Sequence, residues 1–266
     1  MTSSPDPRGA RATGASPWRP LVAGGAAELA RARKEAINLV QWLARIANSY
    51  VAGDVPERRT DLAFDAVGAS FTTQPFADGA SLQMRLPDLH LQFLANGKPV
   101  PHVFDPEGRS PAEVEAWILV ELLHRGIDRE RFSKTVPYAI AGLISGDAID
   151  HEPQACREGL AELTAWLGNA ATLLEAAARS SGAPKMRVVA LPQTLNLTLA
   201  PDSGRQRIDL GFSPGDEQNP EPYFYTNGAA NGVSQNPARR IAIGSALLSQ
   251  SDPSTAAAML LKLVAG

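Results

Sequence analysis

The stretch 81-SLQMRLPDLHLQFLANG-97 decides the fold class, because apolar and polar side chains alternate on both sides of Pro87. The alternating apolar positions are Leu82, Met84, Leu86, Leu89, Leu91 and Phe93. A period of two residues is typical of a strand with one buried face, and Pro87 and Asn96-Gly97 are turn signals. Similar short segments begin at Thr60, so the region up to Val100 predicts about four antiparallel strands.

Helices flank this predicted sheet on both sides along the chain. An apolar stripe with helical spacing precedes it, at Leu29, Ala32, Ala36, Val40, Leu43, Ala47 and Tyr50. After the sheet, Ser110-Pro111-Ala112-Glu113 has the composition of a capping box with proline at the first helical position. It predicts a second helix that ends near Gly126.

The second half of the chain repeats this order of elements. A helical stripe runs along Cys156, Leu160, Leu163, Leu167, Ala170, Leu174 and Ala177. Five strand-like runs follow, at 186–191, 194–199, 206–212, 222–226 and 239–243. Asp252-Pro253 then has the composition of a helix start, with aspartate as the cap.

The two halves also match in sequence at equivalent places. QWLARIAN from Gln41 aligns with AWLGNAAT from Ala165, and SLQMRLP from Ser81 aligns with RIDLGFSP from Arg207. We hypothesise an internal duplication of an α-β-β-β-β-α unit, with common turn chemistry as the alternative explanation. The predicted fold class is therefore α+β, with two similar units related by a pseudo-twofold axis, antiparallel sheets packed against helices, and a cleft between the units.

These patterns predict the domain organisation. Residues 1–25 are expected to form a disordered tail, because four prolines and many small residues interrupt any helix there. Residues 26–126 form the first unit and residues 153–266 the second. Residues 127–152 contain the apolar run YAIAGLI, so we expect a packed connection rather than a free linker.

The composition excludes several classes of protein. With 25 Lys+Arg against 28 Asp+Glu, the net charge of -3 argues against an electrostatic nucleic-acid binder. Every apolar run is too short for a membrane span, and the single cysteine, Cys156, gives no sign of an oxidising compartment. We expect a cytoplasmic protein.

The stretch from Pro214 to Tyr225, PGDEQNPEPYFY, contains the first set of candidate binding residues. Its acids lie on a Pro/Gly-rich loop that leads into an aromatic strand, so carboxylates could pair at a cleft lined by tyrosines. The alternative is a turn with solvated acids before a core strand. The ligand-binding candidates are Asp216, Glu217, Glu221, Tyr223 and Tyr225.

A second polar cluster precedes the long helix of the second half. Its metal-ligand candidates are Asp147, Asp150, His151 and Glu152. They offer oxygen and imidazole ligands within one short loop, and His90 or His102 could join them from the first sheet. The alternative is helix capping, because acids are favoured at a helix N-terminus.

The PGDE...EPYFY run, together with SKTVPYAIAGLISGDA at 133–148, resembles a family of uncharacterised bacterial proteins. The similarity extends from about Asn38 to the C-terminus. Similar proteins follow the motif with a His/Trp-rich segment, whereas this chain has TNGAANGVSQNPARR at 226–240, without His or Trp. If that segment supplies ligands in relatives, this chain has lost them, and the resemblance implies no known activity.

The sequence leaves three functions open. The first is a small-molecule binding protein with its site in the cleft between the units. The second is a hydrolase-like or metal-dependent enzyme that uses one of the two acidic clusters. The third is a structural or interaction protein without chemistry. The sequence contains no G-x-S-x-G elbow, Walker loop, dinucleotide glycine fingerprint, H-E-x-x-H or paired CxxC that would select a reaction, a cofactor or an oligomeric state.

Overall fold

A computed structural model describes residues 18, 19, 21, 25–180, 186–201, 208–226, 239–243 and 253–265. The described helices are α1 (Ala26–Tyr50), α2 (Pro56–Arg59), α3 (Pro111–His124), α4 (Arg157–Ser180) and α5 (Pro253–Ala265). The strands of the first half are β1 (Leu62–Asp65), β2 (Ser70–Thr72), β3 (Ala80–Arg85), β4 (Leu91–Ala95) and β5 (Lys98–Pro99). Those of the second half are β6 (Met186–Leu191), β7 (Asn196–Pro201), β8 (Ile208–Ser213), β9 (Tyr223–Thr226) and β10 (Arg239–Ile243).

All ten described strands form one antiparallel sheet in the order β10-β9-β8-β7-β6-β1-β2-β3-β4-β5. The α+β class is therefore confirmed. The prediction of a separate sheet for each unit is wrong, because β1 pairs with β6 and joins the halves edge to edge. This pairing gives the backbone groups of two otherwise exposed edge strands their hydrogen-bond partners.

The prediction of four strands per unit is also wrong, because each half contributes five of the described strands. In the first half, the chain reverses at Asn96-Gly97 and Lys98–Pro99 pairs back onto β4. A two-residue strand is too short for an alternating pattern to show in the sequence. In the second half, all five strand-like runs are strands, two with the predicted ends and three with ends shifted by at most two residues.

The helices supply the other side of the core. Every residue of the two predicted apolar stripes, from Leu29 to Tyr50 and from Cys156 to Ala177, is buried. α1 contacts β3, and α4 contacts β6, β7 and β8. α1 and α4 also cross closely at Gly159, where an added Cβ would collide with the carbonyl oxygen of Glu28. One hydrophobic core therefore extends through both halves.

The capping box predicted for α3 is confirmed. The Ser110 hydroxyl accepts the backbone N–H of Glu113, while the Glu113 carboxylate accepts the backbone N–H of Ser110. Ser110 also donates to Asp147 over 3.0 Å. These bonds fix the start of α3, and the C-terminal end of α3 contributes to the candidate site. The other predicted cap, Asp252, lies outside the described residues, although the helix begins at Pro253 as expected.

The residues that connect the halves pack along α1. The side chain of Asn38 accepts the backbone N–H of Ile144, and Gln41 accepts the hydroxyl of Tyr138. Gln41 is fully buried and also donates to the carbonyl oxygen of Pro192 over 2.8 Å. α1 is therefore tied both to the connection and to the second half of the sheet.

Most of residues 1–25, expected to form a tail, lies outside the described residues. The described part contacts the body of the protein: Trp18 and Leu21 pack against the core. The side chain of Asn169 accepts the N–H of Arg19 over 2.7 Å and donates to the Arg19 carbonyl over 2.8 Å.

Candidate functional site

The strongest cluster of potential ligands lies at the C-terminal end of α3. The helix ends in ELLH, so Glu121 and His124 are three residues apart and lie on the same helix face. His102 reaches them from the loop that follows β5, where its backbone has a φ of 73°. A non-glycine residue in this left-handed region is uncommon, and such positions often occur at functional sites.

Glu121 is the centre of the cluster, and its side chain is only 3% exposed. Its Oε1 lies 3.2 Å from Nδ1 of His102 and 3.8 Å from Nδ1 of His124. One ligand atom from each of the three residues lies within 4.8 Å of the other two. Among the described residues, this is the one group of three or more His, Cys, Asp or Glu side chains that meets this distance limit.

The other oxygen of Glu121 is held by Arg125. Nη1 of Arg125 lies 2.6 Å from Oε2 of Glu121 and also donates to the Glu121 carbonyl. The guanidinium group is fixed over the ring of Phe93, 4.3 Å from its centroid. Arg125 therefore orients the buried carboxylate so that Oε1 faces both imidazoles.

A cavity of about 470 Å³ opens beside this cluster. His102, Glu121, His124 and Arg125 form the polar part of its lining. The apolar lining consists of Ala77, Ala80, Leu94, Ala95, Val100, Pro101 and Ile127. The remaining lining residue is Asp78, which is exposed and has a φ of 54°. The volume falls in the range of small-molecule sites, roughly 300 to 1,000 Å³.

Two imidazoles and one carboxylate form a ligand set suited to a divalent transition metal. Imidazole favours zinc, copper, iron and nickel, and His₂Glu with an open position is a known ligand set of catalytic zinc. The hydrogen bond from Arg125 to the second carboxylate oxygen matches the outer-shell support that ligating carboxylates usually receive. His102 and His124 have side chains 66% and 57% exposed, so an ion can reach them from solvent.

The candidate acids lie in the turn of residues 214–221, which we call the PGDE loop. Several hydrogen bonds hold this turn. Oδ1 of Asp216 accepts the backbone N–H groups of Gln218 and Asn219, and Oδ2 accepts the hydroxyl of Tyr223 over 2.7 Å. Burial alone would raise the pKa of Asp216, but these hydrogen bonds outweigh it and hold the pKa below its usual value. Asp216 therefore stabilises its own loop.

The loop also packs against α1. Nη1 of Arg33 donates to the carbonyl of Pro214 over 3.2 Å. Burial lowers the pKa of Arg33, and the nearby carboxylates of Asp216 and Glu217 oppose that shift. Glu217 and Glu221 are exposed. The three acids of the loop do not form a group of converging ligands.

The aromatic residues of β9 alternate between the two faces of the sheet, as successive residues of a strand do. Tyr223 and Tyr225 lie on one face of β9, with ring centroids 6.2 Å apart. Phe224 lies on the opposite face and packs against Phe212, which stacks with Trp166 of α4. Tyr225 is 4% exposed, and its ring lies over Gly211 so closely that a Cβ there would clash with it.

The four metal-ligand candidates before α4 point to different partners. Asp147 accepts a hydrogen bond from Ser110, and Glu152 lies 3.6 Å from Arg31. His151 is 1% exposed and its Nδ1 lies 2.8 Å from Glu35. Asp150 is exposed. The structure does not bring these side chains together, and neither His90 nor His102 joins them.

A second cavity, of about 540 Å³, lies between α1 and residues 144–156. Its lining includes the charged side chains of Arg31, Lys34, Glu35 and Glu152. Cys156 also contributes, and burial raises the pKa of its thiol to about 11. At neutral pH this cysteine is a protonated packing residue rather than a nucleophile.

The grouping of His102 with Glu121 and His124 was not predicted from the sequence. The pair on α3 was predictable, because Glu-x-x-His on a helix places two potential ligands on one face. The position of His102 depends on the two-residue strand β5 and on a left-handed backbone, neither of which has a clear sequence signal.

Comparison with protein-family models, with curated proteins and with solved structures found no match for this chain. Within the described residues, no helix combines the length and the apolar composition that crossing a membrane requires.

Proposed function

We propose that this protein binds a divalent transition-metal ion through His102, Glu121 and His124. The observation that carries the proposal is the mutual approach of one ligand atom from each residue to within 4.8 Å around a buried carboxylate. The three residues leave the side of the ion facing the cavity open, as in metal sites that bind or activate a small molecule. This is the metal-dependent alternative of the sequence analysis, at a different set of residues.

Isothermal titration calorimetry on the untagged full-length protein, freed of metal with a chelator, tests this function. We expect one Zn²⁺ or Co²⁺ per chain and much weaker binding of Mg²⁺, because magnesium prefers oxygen ligands. His102→Gly and His124→Ala should each weaken Zn²⁺ binding by at least tenfold, in line with the roughly 10- to 100-fold losses seen even for supporting residues of metal sites. Glycine at position 102 accepts the positive φ without strain.

His90→Ala is the matched control. His90 lies 3.5 Å from Asp88 and 3.5 Å from Asp105, so it is also a histidine beside carboxylates. It lacks a second imidazole, and we expect its replacement to leave Zn²⁺ affinity unchanged. Absence of zinc binding to the unmodified chain, or an equal loss in His90→Ala, would contradict the proposal.

We also propose that the two halves arose by duplication. Three features of the described residues support this. Each half has a long helix, then five strands, then a final helix, with the short helix α2 as an addition in the first half. Both halves have sequential strand order, and the first strands of the halves pair with each other. The aligned segments from Ser81 and Arg207 include β3 and β8, the third strand of each half. Trp42 and Trp166 are both buried on the long helices. A best superposition of the halves that pairs β3 with any strand other than β8 would refute the duplication.

We propose a cytoplasmic location. The support is the single cysteine, which is buried and so needs no disulfide partner. Fractionation of the native host, with the protein in the soluble cytoplasmic fraction, is the expected result, and recovery in an exported fraction would contradict it.

A further inference from the structure

The cavity beside the proposed metal site has one polar end and an otherwise largely apolar wall. The polar end consists of His102, Glu121, His124 and Arg125, which contact one another. The wall includes Leu94, Ala95 and Val100 from the β4–β5 hairpin and the residue that follows it. Such a division fits a ligand with a single polar group and an apolar body.

The charges of the site determine which charge the polar group of the ligand carries. Glu121 and Arg125 form an ion pair at 2.6 Å, so their charges offset each other. Imidazoles that ligate a metal do so in the neutral form, so a bound divalent cation would leave an excess of positive charge at this end of the cavity. Asp78 is the other charged residue of the lining, and its exposed carboxylate would disfavour a second anionic group on the ligand.

The volume limits the size of the ligand. About 470 Å³ corresponds to roughly 15 water-sized heavy atoms at about 30 Å³ each. An inorganic anion would leave the apolar wall uncovered, and an α-amino acid would bring its ammonium group next to the metal cation. A nucleotide has more heavy atoms than this volume holds.

We propose that the cavity binds a small monocarboxylate with an extended apolar body, whose carboxylate completes the coordination of the metal ion. The inference rests on the proposed metal-binding function. The carboxylate occupies the open side of the ion between His102 and His124. The apolar body lies along Leu94, Ala95 and Val100.

Titration of octanoate into the zinc-loaded protein tests the inference, with butyrate as the ligand that has the same head and a shorter chain. Each fully buried methylene strengthens binding about fourfold. In an open cavity we expect octanoate to bind at least tenfold more tightly than butyrate. Removal of zinc should weaken octanoate binding at least tenfold. In the Co²⁺-loaded protein, octanoate should change the visible absorption of the metal, because the coordination shell changes.

Ala95→Phe narrows the cavity without altering a metal ligand. It should leave Zn²⁺ affinity unchanged and remove the preference for octanoate over butyrate. Ala63→Phe is the matched control, because Ala63 is also an exposed strand alanine but lies on β1, which β2 and β3 separate from β4 in the sheet. It should retain the chain-length preference.

The outcomes separate the two proposals. If the unmodified chain does not bind zinc, both the metal site and the inference that rests on it are refuted. If zinc binds but octanoate binds no better than butyrate, the inference is refuted and the metal site stands. Equal octanoate affinity with and without zinc, or an unchanged Co²⁺ spectrum, would also refute the role of the metal in holding the carboxylate.

Discussion

Carboxylates in this protein differ in the kind of partner that they have. Both oxygens of Asp216 accept hydrogen bonds within the PGDE loop. Oε2 of Glu121 accepts from Arg125, whereas Oε1 is hydrogen-bonded to His102 over 3.2 Å and lies near His124, and both imidazoles are open to solvent. The first arrangement fixes a loop. In the second, a metal ion can take the place of the proton between Oε1 and the imidazole, because carboxylates and neutral imidazoles are metal ligands. This contrast, rather than the number of acids in each sequence motif, separates a structural carboxylate from a candidate ligand.

Replacement of Asp216 by Asn tests the structural role. The side-chain amide of asparagine has one oxygen that accepts hydrogen bonds and one NH₂ group that donates them. Either the hydrogen bond from Tyr223 or the hydrogen bonds from Gln218 and Asn219 are therefore weakened. We expect the free energy of unfolding at pH 7 to fall by about 1 to 2 kcal/mol, with zinc binding unchanged. Urea denaturation followed by circular dichroism measures the difference.

The same variant has a defined pH dependence. The pKa of Asp216 is lower in the folded protein than its usual value, so the stabilisation is present above the unfolded-state pKa of about 3.9 and is lost as the pH falls through the folded-state pKa. The stability difference between the unmodified chain and Asp216→Asn should therefore shrink below about pH 4. Glu217→Gln, an exposed change in the same loop, should show little difference at either pH. Unchanged stability of Asp216→Asn at pH 7 would refute the loop-stabilising role.

At the scale of helices and strands, the sequence predicted those features that depend on residues close together along the chain. The stripe from Leu29 to Tyr50 and the Ser110 capping box were readable because helical spacing and caps are local. The pairing of β1 with β6 was not readable, because the two strands are far apart in sequence and carry no pattern that identifies a partner. The approach of His102 to Glu121 was not predictable either, because it depends on the two-residue strand β5 and on the left-handed backbone at position 102, which have no clear sequence signal.

Two glycines of α4 should respond in opposite ways to the same substitution. At Gly159, a Cβ would collide with the Glu28 carbonyl oxygen and lie 2.9 Å from the Cβ of Ala32, where α1 and α4 cross. At Gly168, the nearest atom to an added Cβ is the carbonyl oxygen of Ala66, at an ordinary 3.6 Å. Gly159→Ala should lower the free energy of unfolding by about 1 to 3 kcal/mol through overpacking.

Gly168→Ala is the matched control for this prediction. It should raise the free energy of unfolding by up to about 1 kcal/mol, because alanine has the higher helix propensity. Thermal or urea unfolding of both variants provides the comparison. Stabilisation by Gly159→Ala would show that the helices do not approach as closely as described here.

At the scale of the whole molecule, the two halves share one sheet and one core. β1 and β6 join the sheet, α1 and α4 pack against each other, and the buried side chain of Gln41 on α1 donates to the Pro192 carbonyl between β6 and β7. Neither half can lose its structure without exposing apolar surface and unpaired polar groups of the other. The similar order of elements in the two halves therefore does not imply two independently stable domains.

We expect a single cooperative unfolding transition for this reason. Two variants report on the halves separately. One retains Trp117 as its single tryptophan and so has a fluorescent probe in the first half, and the other retains Trp166 in the second half. Both variants lack the buried Trp42, so this loss affects them equally. In each variant, the urea midpoint from fluorescence should coincide with the midpoint from circular dichroism. Gln41→Ala removes the buried hydrogen bond to Pro192 in the other half and the bond from Tyr138 in the connection. It should lower both midpoints together, with a loss of about 2 to 3 kcal/mol. If the Trp117 and Trp166 probes instead reported separate transitions, the halves would unfold as independent units. The pairing of β1 with β6 and the hydrogen bond of Gln41 would then contribute little to stability.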